Sequence, residues 1–552
     1  MSKTIKLLLT ITVILISANC TQSQKQNAET FIRINQVGFL PSDVKSAVVL
    51  SGSKIDQKPY QIVDRKGSVI LNGILPNSSG AYGEFPFSYR VYFSKLRKFG
   101  TYKMKIGNSS SYDFQIGSKI YNPVVDSLLQ FFKVQRSGYT NPRLHKVSHI
   151  ADATSILDAG KVINETHDVT GGWYDAGDYI KFVNTTAYAT YTLLFAYDFA
   201  PHKFSFDHDK DGVPDILEEA KIGLDWLLRA QYKGKKLIVQ VQDLRDHDVG
   251  WRLPEDDPLA FDRPAFVGIG KNLIGVYVAA MSLGSKIWRE KINYPEYADQ
   301  CLTAAEIYYA PKDSAPDVDS TGTHYIDKLF AGKMALGAIE LFLATGRKDA
   351  LADAKMYGDK DGSEVWWSWG NIAAYAHYRL AKIEPRFGDY LKVNLSSFNK
   401  NKEKMLFNEG AAYTWGTNNT LLGVSLQNIL YRDLTNSNEY DTVSVYQRDY
   451  ILGRNAWGVS FIAKIGTEYS RNFHHQIAYL QNGYLPGGFA AGPISKEFLD
   501  GYNIPFDKPD RFSKFQTKDA VYRDDRMDYV TNEPTITANA TAVFVMGYYS
   551  NR

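Results

Sequence analysis

The hydrophobic pattern of this chain changes sharply near Gly117, and this change constrains the fold more than any other feature. Before Gly117, short runs of β-forming residues alternate with turn sequences such as Lys66-Gly67 and Gly107–Ser110. Runs of this length and spacing predict a small β-sandwich over residues 31–117. The predicted strands lie at 31–37, 46–50, 60–63, 69–71, 87–93, 101–106 and 112–116.

Beyond Gly117, apolar residues recur at helical spacing, as Ile216, Leu217, Ala220 and Leu224 do. Long loops rich in Gly, Asp and Trp separate the helical segments, which is unusual in a simple bundle and typical of functional loops. We therefore predict a toroid of paired helices, and the lack of a short sequence repeat disfavours a solenoid. The predicted helices lie at 122–138, 184–199, 215–231, 271–289, 296–310, 325–345, 366–384, 387–399, 419–436, 439–453 and 537–549.

The N-terminus has the pattern of a targeting segment. Lys3 and Lys6 precede the apolar run Leu7–Ile16, which is too short to span a bilayer. The run therefore predicts a cleaved signal peptide over residues 1–20. A cysteine after small residues, Cys20, is typical of a lipidated bacterial N-terminus, with residues 21–30 as a tether. We expect a cell-envelope lipoprotein, periplasmic or associated with the outer membrane, and simple secretion is the alternative.

Charge and cysteine content exclude several functional classes. The chain has 63 basic and 60 acidic residues, well mixed, with a formal net charge of +3. Without a basic stripe, nucleic acid is not an expected partner, and membrane contact is expected only through a lipid on Cys20. Two cysteines, Cys20 and Cys301, cannot build a disulfide framework. Aromatic residues make up 14% of the chain, which suits sugar binding or, equally, a large aromatic core.

Two acidic segments contain candidate catalytic residues. In the segment 171–182, Asp175 and Asp178 are separated by Ala and Gly and flanked by aromatic residues. The segment 524–534 ends with Glu533 before the last predicted helix. Inverting glycoside hydrolysis needs one carboxylate to activate water and one carboxylic acid to protonate the leaving oxygen. Helix capping by the aspartates is an equally good explanation of the spacing alone.

Several segments, in order along the chain, resemble glycoside hydrolase family nine. The Asp-Ala-Gly-Asp sequence at 175–178 is similar to the motif diagnostic of that family. The resemblance implies an immunoglobulin-like β-sandwich over 31–117 followed by an all-α (α/α)6 barrel over 118–552. The other matching segments are 32–39, 131–138, 450–455, 474–475 and 528–533.

The resemblance also implies roles for individual residues. Asp178 would be the base that deprotonates water, Asp175 would hold that water or tune Asp178, and Glu533 would be the acid, with a raised pKa. Each proposed sugar contact has a purely structural role as its alternative. The implied sugar contacts are Trp173, Tyr174, His247, Trp251, Trp415, Asn418, His474 and Tyr529.

Two departures from the family pattern affect these expectations. Gln476 stands where the family often has an arginine, so the charged fork of that arginine is missing from the sugar site. Members with the immunoglobulin-like module often bind zinc through Cys and His. Here Ser137 and Ser148 occupy the cysteine positions near His149, so zinc is not an expected cofactor.

A separate acidic loop predicts a structural calcium site, independently of the family. In residues 207–218, acidic side chains occupy positions one, three, five, nine and twelve of a twelve-residue pattern, with Gly212 at position six. Such a pattern suits a hard cation that prefers oxygen ligands. A solvated acidic turn that caps the next helix is the alternative. The predicted ligands are Asp207, Asp209, Asp211, Val213 through its carbonyl, Asp215 and Glu218.

Taken with the resemblance, the sequence predicts an inverting endo-β-1,4-glucanase that acts on cellulose-like glucan or xyloglucan. An exo-acting β-glucosidase or β-glucosaminidase on short oligosaccharides remains an alternative, since loop lengths do not define the ends of a cleft. A non-catalytic glycan-binding lipoprotein is an alternative of another class. The presence of Asp175, Asp178 and Glu533 together argues against it, because a binding protein needs no acid and base pair.

Overall fold

The computed structural model describes residues 29–322, 325 and 327–552. The predicted signal peptide, Cys20 and nearly all of the predicted tether lie outside these residues. Within them, the change from strand to helix falls where the hydrophobic pattern places it: the last strand of the first domain ends at Ile116 and the first helix begins at Asn122.

The first domain is a sandwich of two sheets. One sheet has the order β1-β3-β6, and the other has the order β2-β9-β7-β4-β5, with β8 paired to β7. Apolar side chains from both sheets, such as Val49, Ile62 and Met104, form a common core. The strands are β1 (Thr30–Arg33), β2 (Gly38–Phe39), β3 (Ser46–Ser51), β4 (Pro59–Asp64), β5 (Val69–Ile74), β6 (Phe87–Tyr92), β7 (Gly100–Ile106), β8 (Ser109–Ser110) and β9 (Phe114–Ile116).

One predicted strand of this sandwich is divided in two. The run 31–37 is not continuous, because the side-chain oxygen of Asn35 accepts hydrogen bonds from the backbone N–H groups of Val37 and Gly38, each at 3.0 Å. An Asn side chain that binds the backbone two residues on makes a turn, so β1 ends before Asn35 and β2 begins after it.

The second domain is mainly helical. None of the helices in the described residues is long and apolar enough to cross a membrane. Its helices are α1 (Asn122–Gln135), α2 (Val183–Phe199), α3 (Pro201–Phe204), α4 (Asp215–Arg229), α5 (Arg245–Asp248), α6 (Lys271–Glu290), α7 (Pro295–Tyr309), α8 (Ala331–Thr345), α9 (Lys348–Asp361), α10 (Ala373–Ala381), α11 (Gly388–Lys404), α12 (Thr417–Thr435), α13 (Asp441–Ile451), α14 (Gln476–Leu480), α15 (Lys496–Asp500) and α16 (Ile536–Tyr549).

Six of the long helices form a closed inner ring. Each packs against the next in the order α2, α6, α8, α10, α12 and α16, and α16 returns to α2. Inner helices such as α2 and α16 are buried on nearly all sides, which is typical of a helix that is apolar all round. The outer helices α1, α4, α7, α9, α11 and α13 alternate with the inner ones along the chain. The predicted (α/α)6 barrel is thereby confirmed.

Glycine allows two inner helices to approach closely. A Cβ atom on Gly337 of α8 would lie 2.4 Å from the carbonyl oxygen of Gly275 on α6. No larger residue fits at this contact without displacing a helix backbone. The ring therefore depends on a glycine at each of these two positions.

Helix α9 was not predicted from the sequence. Its sequence is mostly polar, and only Ala350, Ala354, Tyr357 and Gly358 are buried. Because these side chains are small or isolated, they produce only a weak apolar stripe. The helices predicted at 325–345 and 366–384 are shorter than expected and begin at Ala331 and Ala373.

The helical domain also carries a small sheet that the sequence analysis did not predict. Its order is β11-β10-β15-β14-β12, with β13 beside β14. Its short strands lie in the long loops between helices, where periodicity gives little information. They are β10 (Ser155–Asp158), β11 (Lys161–Ile163), β12 (Lys181–Phe182), β13 (Gln231–Tyr232), β14 (Lys236–Val241) and β15 (Pro264–Gly268).

Side-chain hydrogen bonds fix the sandwich to the barrel. The Gln36 amide nitrogen donates to the carbonyl of Gly458 at 2.9 Å, and its oxygen accepts from the N–H groups of Thr467 and Glu468, both at 2.8 Å. A buried ion pair of 2.8 Å joins Asp43 in the sandwich to Arg448 of α13. The two domains therefore share a specific polar contact.

Candidate active site

A cavity of about 600 Å³ opens in the loops at one end of the barrel. It contains residues from both acidic segments that the sequence singled out, which lie more than three hundred positions apart in the chain. The lining residues are Gly177, Asp178, Phe182, His247, Gly250, Trp251, Tyr325, Trp415, His474, Gln476, Pro505, Met527, Tyr529 and Glu533.

Asp178 is held by two hydrogen bonds at the wall of this cavity. Its Oδ1 accepts from the backbone N–H of Ile180 at 3.0 Å, and its Oδ2 lies 2.9 Å from Nε2 of His247. The hydrogen bond to Asp178 raises the pKa of His247 to about 9. At neutral pH the His247 ring is therefore an imidazolium that contacts the Asp178 carboxyl group.

Glu533 lies beside the same loop but in a different environment. Its Oε1 accepts a hydrogen bond of 3.1 Å from the N–H of Gly177. Burial, followed by repulsion from Asp178, raises the pKa of Glu533 to about 8, in spite of that hydrogen bond. A carboxyl with this pKa is mostly protonated at neutral pH and can donate a proton.

Glycine at position 177 permits this approach. A Cβ atom there would lie 2.4 Å from the carbonyl oxygen of His474 and 3.1 Å from Oε1 of Glu533. Any side chain would push apart the two segments that carry Asp178 and Glu533. This contact gives a physical reason for the glycine in the Asp-Ala-Gly-Asp sequence.

Asp175 lies behind the cavity rather than in its lining. Its side chain is buried, and its carbonyl oxygen accepts from the N–H of Ile536, the first residue of α16, at 2.9 Å. Burial raises the pKa of Asp175 to about 7, hydrogen bonds from Thr185 and Tyr325 lower it, and the charge of Asp178 raises it. Asp175 therefore joins the Asp178 loop to the C-terminal inner helix.

Hydrogen bonds fix the side chains of residues 474–476, of which His474 and Gln476 line the cavity. His474 donates through Nδ1 to the carbonyl of Arg526 at 2.8 Å, and burial lowers the pKa of His474 to about 4, so the ring is neutral. His475 is buried, and its Nε2 donates to Oε1 of Gln135 at 2.7 Å. Gln476 accepts at Oε1 from the N–H of Arg252 at 3.0 Å. All three side chains are thus fixed by neutral hydrogen bonds.

An arc of aromatic rings borders the cavity, with His474 at its centre. The His474 ring packs against Trp251 at 5.1 Å and Tyr529 at 5.7 Å between centroids. Trp251 stacks on Tyr479 at 4.4 Å with parallel planes. On the other side, Tyr529 contacts Trp415, whose side chain is 44% exposed at the mouth. Flat, partly exposed rings in this position suit the faces of sugar rings.

Three of the predicted sugar contacts are wrong because their side chains are buried. Trp173 donates from its indole N–H to Glu219 at 2.8 Å, inside the barrel wall. Tyr174 is 1% exposed, and Asn418 is fully buried with its amide nitrogen donating to the carbonyl of Ala490. The structure places the other five, His247, Trp251, Trp415, His474 and Tyr529, in the cavity lining.

Several lining residues were not predicted from the sequence. Phe182 and Tyr325, which also line the cavity, pack together at 4.8 Å between ring centroids. Phe182 is the last residue of the first acidic segment, a position that could have indicated its role. Tyr325 was assigned to a helix that in fact begins at Ala331. Pro505 and Met527 carried no sequence signal for sugar binding.

The side chains at the positions discussed for zinc take part in hydrogen bonds beneath the cavity. Ser148 lies 2.9 Å from the hydroxyl of Tyr174, which also contacts Nδ1 of His149 at 2.6 Å. Nε2 of His149 lies 2.8 Å from Asp257, and Ser137 accepts a long bond of 3.5 Å from Lys181.

The predicted calcium loop brings its acidic side chains together on the surface before α4. Carboxylate oxygens of Asp207, Asp209 and Asp215 lie within 4.8 Å of one another, as do those of Asp209, Asp211 and Glu218. Burial, with repulsion from the neighbouring aspartates, raises the pKa of Glu218 to about 7. Gly212 adopts a φ of 93°, which suits the tight turn at position six. These oxygen ligands and their crowding fit a divalent cation.

Comparisons with known proteins find relatives that cover both domains. The sequence profile of glycosyl hydrolase family 9 matches residues 121–546, and that of the cellulase N-terminal ig-like domain matches residues 27–111. The xyloglucan-specific endo-beta-1,4-glucanase BoGH9A of Bacteroides ovatus is 26% identical, over 96% of this chain and 95% of its own. A cellulose 1,4-beta-cellobiosidase of Acetivibrio thermocellus is 25% identical, over 94% and 67% respectively. The crystal structure of a metagenome-derived family 9 endoglucanase superposes with a TM-score of 0.80 at 26% identity, covering 95% of this chain and 99% of that one.

Proposed function

This chain belongs to glycosyl hydrolase family 9, and we propose that it cleaves β-1,4-glucan with Asp178 as general base and Glu533 as general acid. Membership makes it an inverting glycoside hydrolase. The observation that carries the residue assignment is the contrast between two carboxyl groups in one cavity. Asp178 contacts an imidazolium, whereas Glu533 has a pKa of about 8 and keeps its proton at neutral pH.

The proposed reaction uses each carboxyl group once. Asp178 accepts a proton from a water molecule as the water oxygen attacks the anomeric carbon, and Glu533 donates its proton to the departing glycosidic oxygen. One C–O bond forms as the other breaks, so the configuration at the anomeric carbon inverts. Exchange of one proton with solvent then restores both groups.

We propose that Asp175 supports this reaction from behind the cavity. It is buried and bonds to α16, so it fixes the loop that carries Asp178. His247, Trp251, Trp415, His474 and Tyr529 are the proposed sugar contacts, because they line the cavity around the two catalytic carboxyl groups.

The proposed substrate is xyloglucan or cellulose-like glucan, cut within the chain. The name of the Bacteroides ovatus relative, which aligns over nearly its whole length, supports xyloglucan and endo action. Exo action is a second candidate, because another relative is named a cellulose 1,4-beta-cellobiosidase.

Product analysis on a substrate panel tests both the reaction and the substrate. Xyloglucan, mixed-linkage glucan, amorphous cellulose and chito-oligosaccharides would be incubated with the enzyme, and viscosity would be compared with the release of reducing ends. Endo action predicts a fast fall in viscosity, and exo action predicts reducing ends without it. Early proton NMR spectra should show the α-anomer, and a β-anomer would contradict inversion.

We further propose that the loop of residues 207–218 binds a structural calcium ion. Asp207, Asp209, Asp211, Asp215 and Glu218 would supply carboxylate oxygens, and Val213 its carbonyl. Two sets of three carboxylates support this proposal, since the oxygens within each set lie within 4.8 Å of one another. None of these residues lines the cavity, so the ion is proposed to stabilise the start of α4 rather than take part in catalysis.

We also propose that Cys20 carries a lipid anchor, on the basis of the sequence around it. The Cys20→Ser variant should lose incorporation of labelled palmitate and leave the membrane fraction. Cys301 is buried in α7 and offers a matched control, since Cys301→Ser should keep both properties. Equal labelling of the Cys20→Ser variant would refute the anchor.

A further inference from the structure

A charge-balanced network of buried side chains lies beneath the loop that carries Asp178. It contains as many acids as bases, and each is less than a tenth exposed. His149, which also belongs to it, is neutral because burial lowers its pKa to about 4. Buried charges are tolerated only when they are paired, and this set is paired throughout. Its members are Asp152, Asp246, Asp257, Lys181, Arg252 and Arg263.

One half of the network is centred on Asp152. Its carboxylate pairs with Arg263 at 2.6 Å and with Lys181 at 2.5 Å. Lys181 also donates to the carbonyl oxygens of Val169 and Gly171. Asp152 therefore orients Arg263 while Lys181 holds the chain that leads into the loop.

The other half is centred on Arg252. Its guanidinium pairs with Asp246 at 2.5 Å and with Asp257 at 2.8 Å. Asp257 also accepts from His149 at 2.8 Å. Arg252 thus holds Asp246 directly beside His247 in the chain, and His247 itself contacts Asp178.

Both halves meet at Tyr179, the residue after the base. Arg263 donates to the Tyr179 carbonyl at 2.7 Å, Asp246 accepts from the Tyr179 N–H at 3.1 Å, and the Tyr179 hydroxyl donates to the Arg252 carbonyl at 2.6 Å. Every polar group of Tyr179 is therefore bound by the network.

The contact from Arg263 reaches the base through a single peptide group. The carbonyl of Tyr179 and the N–H of Ile180 belong to the same planar peptide, and that N–H donates to Oδ1 of Asp178 at 3.0 Å. A guanidinium on the carbonyl fixes this plane and polarises it, which strengthens the N–H as a donor. Asp246 holds the preceding peptide, which joins Asp178 to Tyr179.

We propose that Arg263 and Asp246 are positioning residues for hydrolysis, which aim the Asp178 carboxylate at the attacking water by fixing the two peptide groups that follow it. This inference rests on the proposed role of Asp178 as base. Misplacement of a reacting group by about 1 Å can cost roughly 10²-fold in rate. A loss of this kind should affect kcat and leave sugar binding unchanged, because neither residue lines the cavity.

The test compares Arg263→Lys with Arg454→Lys. Lysine keeps the positive charge but cannot bind Asp152 and the Tyr179 carbonyl at once with the geometry of a guanidinium. Arg454 is also fully buried, and its guanidinium donates to the carbonyl of Phe407 and to Oδ1 of Asn408, which lie outside both the cavity lining and the network. It therefore controls for the loss of a buried guanidinium.

We expect Arg263→Lys to lower kcat by at least about tenfold with KM within about threefold of wild type, and Arg454→Lys to keep wild-type kcat at a similar loss of melting temperature. A dinitrophenyl β-cellobioside, whose leaving group needs no acid, adds a second readout. The loss in Arg263→Lys should be as large on this substrate as on polysaccharide, whereas the loss in Glu533→Gln should shrink.

Wild-type kcat in Arg263→Lys, or a loss that shrinks on the activated substrate as in Glu533→Gln, would overturn the proposal. If Arg263→Lys does not fold, Tyr179→Phe can replace it, because this variant removes one hydrogen bond to the network without changing buried charge. Tyr179→Phe should lower kcat at constant KM. An unchanged kcat in Tyr179→Phe would also overturn the proposal. The proposed function fails separately if Asp178→Ala retains wild-type turnover.

Discussion

The loop around Asp178 and the loop of residues 207–218 both bring carboxyl groups close together, but they differ in the burial and the hydrogen-bond partners of those groups. In the first, the acids are buried or partly buried, and each is protonated, paired with a cation or bonded to backbone N–H groups. In the second, Asp209 and Asp211 are exposed, and their oxygens bond mainly to the N–H groups of their own loop. Similar residue types are thus placed in environments with different electrostatic outcomes.

The difference shows that burial, more than spacing, separates acid–base chemistry from cation binding. Burial raises the pKa of Glu533 far enough for it to donate a proton at neutral pH, while the nearby imidazolium compensates the charge of Asp178. Asp209 and Asp211 of the second loop are exposed to water, which only partly screens the repulsion that helps to raise the pKa of Glu218, and a divalent ion can replace that water. The exposed loop should therefore be unable to supply a general acid, and the buried loop should be a poor site for a divalent cation.

The largest expected effect comes from removing the base. Asp178→Ala should lower kcat by at least about 10²-fold, since general base catalysis contributes roughly 10²–10⁴-fold. Asp209→Ala, the same change in the exposed loop, should leave kcat at the wild-type value when assayed well below the melting temperature. Initial rates on polysaccharide measure both variants, and equal losses would remove the distinction between the loops.

A second prediction concerns the pH dependence of activity. Glu533 must be protonated to act as acid, and its pKa is about 8, so kcat/KM should fall as pH rises through about 8. In Glu533→Gln this alkaline limb should disappear along with most of the activity on polysaccharide. A wild-type profile that stays flat to pH 10 would contradict the assignment of Glu533.

A third, smaller effect concerns stability. The pKa of Glu533 is raised from an ordinary 4.5 to about 8, so the folded chain binds a proton that the unfolded chain releases between these values. Stability contributed by this group is present below about pH 4.5 and is lost as pH rises towards 8. Gln does not titrate, so Glu533→Gln should melt higher than wild type at pH 8 and at the same temperature near pH 4. Calorimetry at the two pH values checks the sign.

Much of this fold follows from periodicity, and its exceptions have physical causes. The inner helices were predicted because they are apolar, whereas α9 was missed because its buried residues are few and, apart from Tyr357, small. Most of the strands β10–β15 are only two to five residues long and are held by pairing within the sheet, so they leave little local pattern; β14 is longer and apolar. Contacts between distant parts of the chain therefore determine where α9 and these strands form.

The catalytic residues of the candidate site could be predicted, because the chemistry requires carboxyl groups. The sugar contacts could not all be predicted, because they depend on which side chains are exposed. Asp178 and Glu533 lie together in the cavity, as their motifs indicated. Trp173 and Tyr174 flank the motif just as closely, but they point into the core and bind Glu219 and His149. Sequence gives neighbours along the chain, and only packing shows which side of the loop faces the sugar.

The smallest expected effect is that of calcium, and it should appear in stability alone. An ion that binds the folded loop and not the unfolded chain stabilises by mass action, by about 2.7 kcal/mol at a free concentration of about 100 times Kd. Chelator should therefore lower the melting temperature of wild type, and Asp209→Ala should melt lower and lose the response to calcium. Asp313→Ala removes an exposed carboxylate outside the loop and should behave as wild type. We expect kcat to stay constant in all of these experiments. If chelator changed the rate but not the melting temperature, the ion would lie at the cavity instead. If chelator changed neither, the loop would bind no calcium.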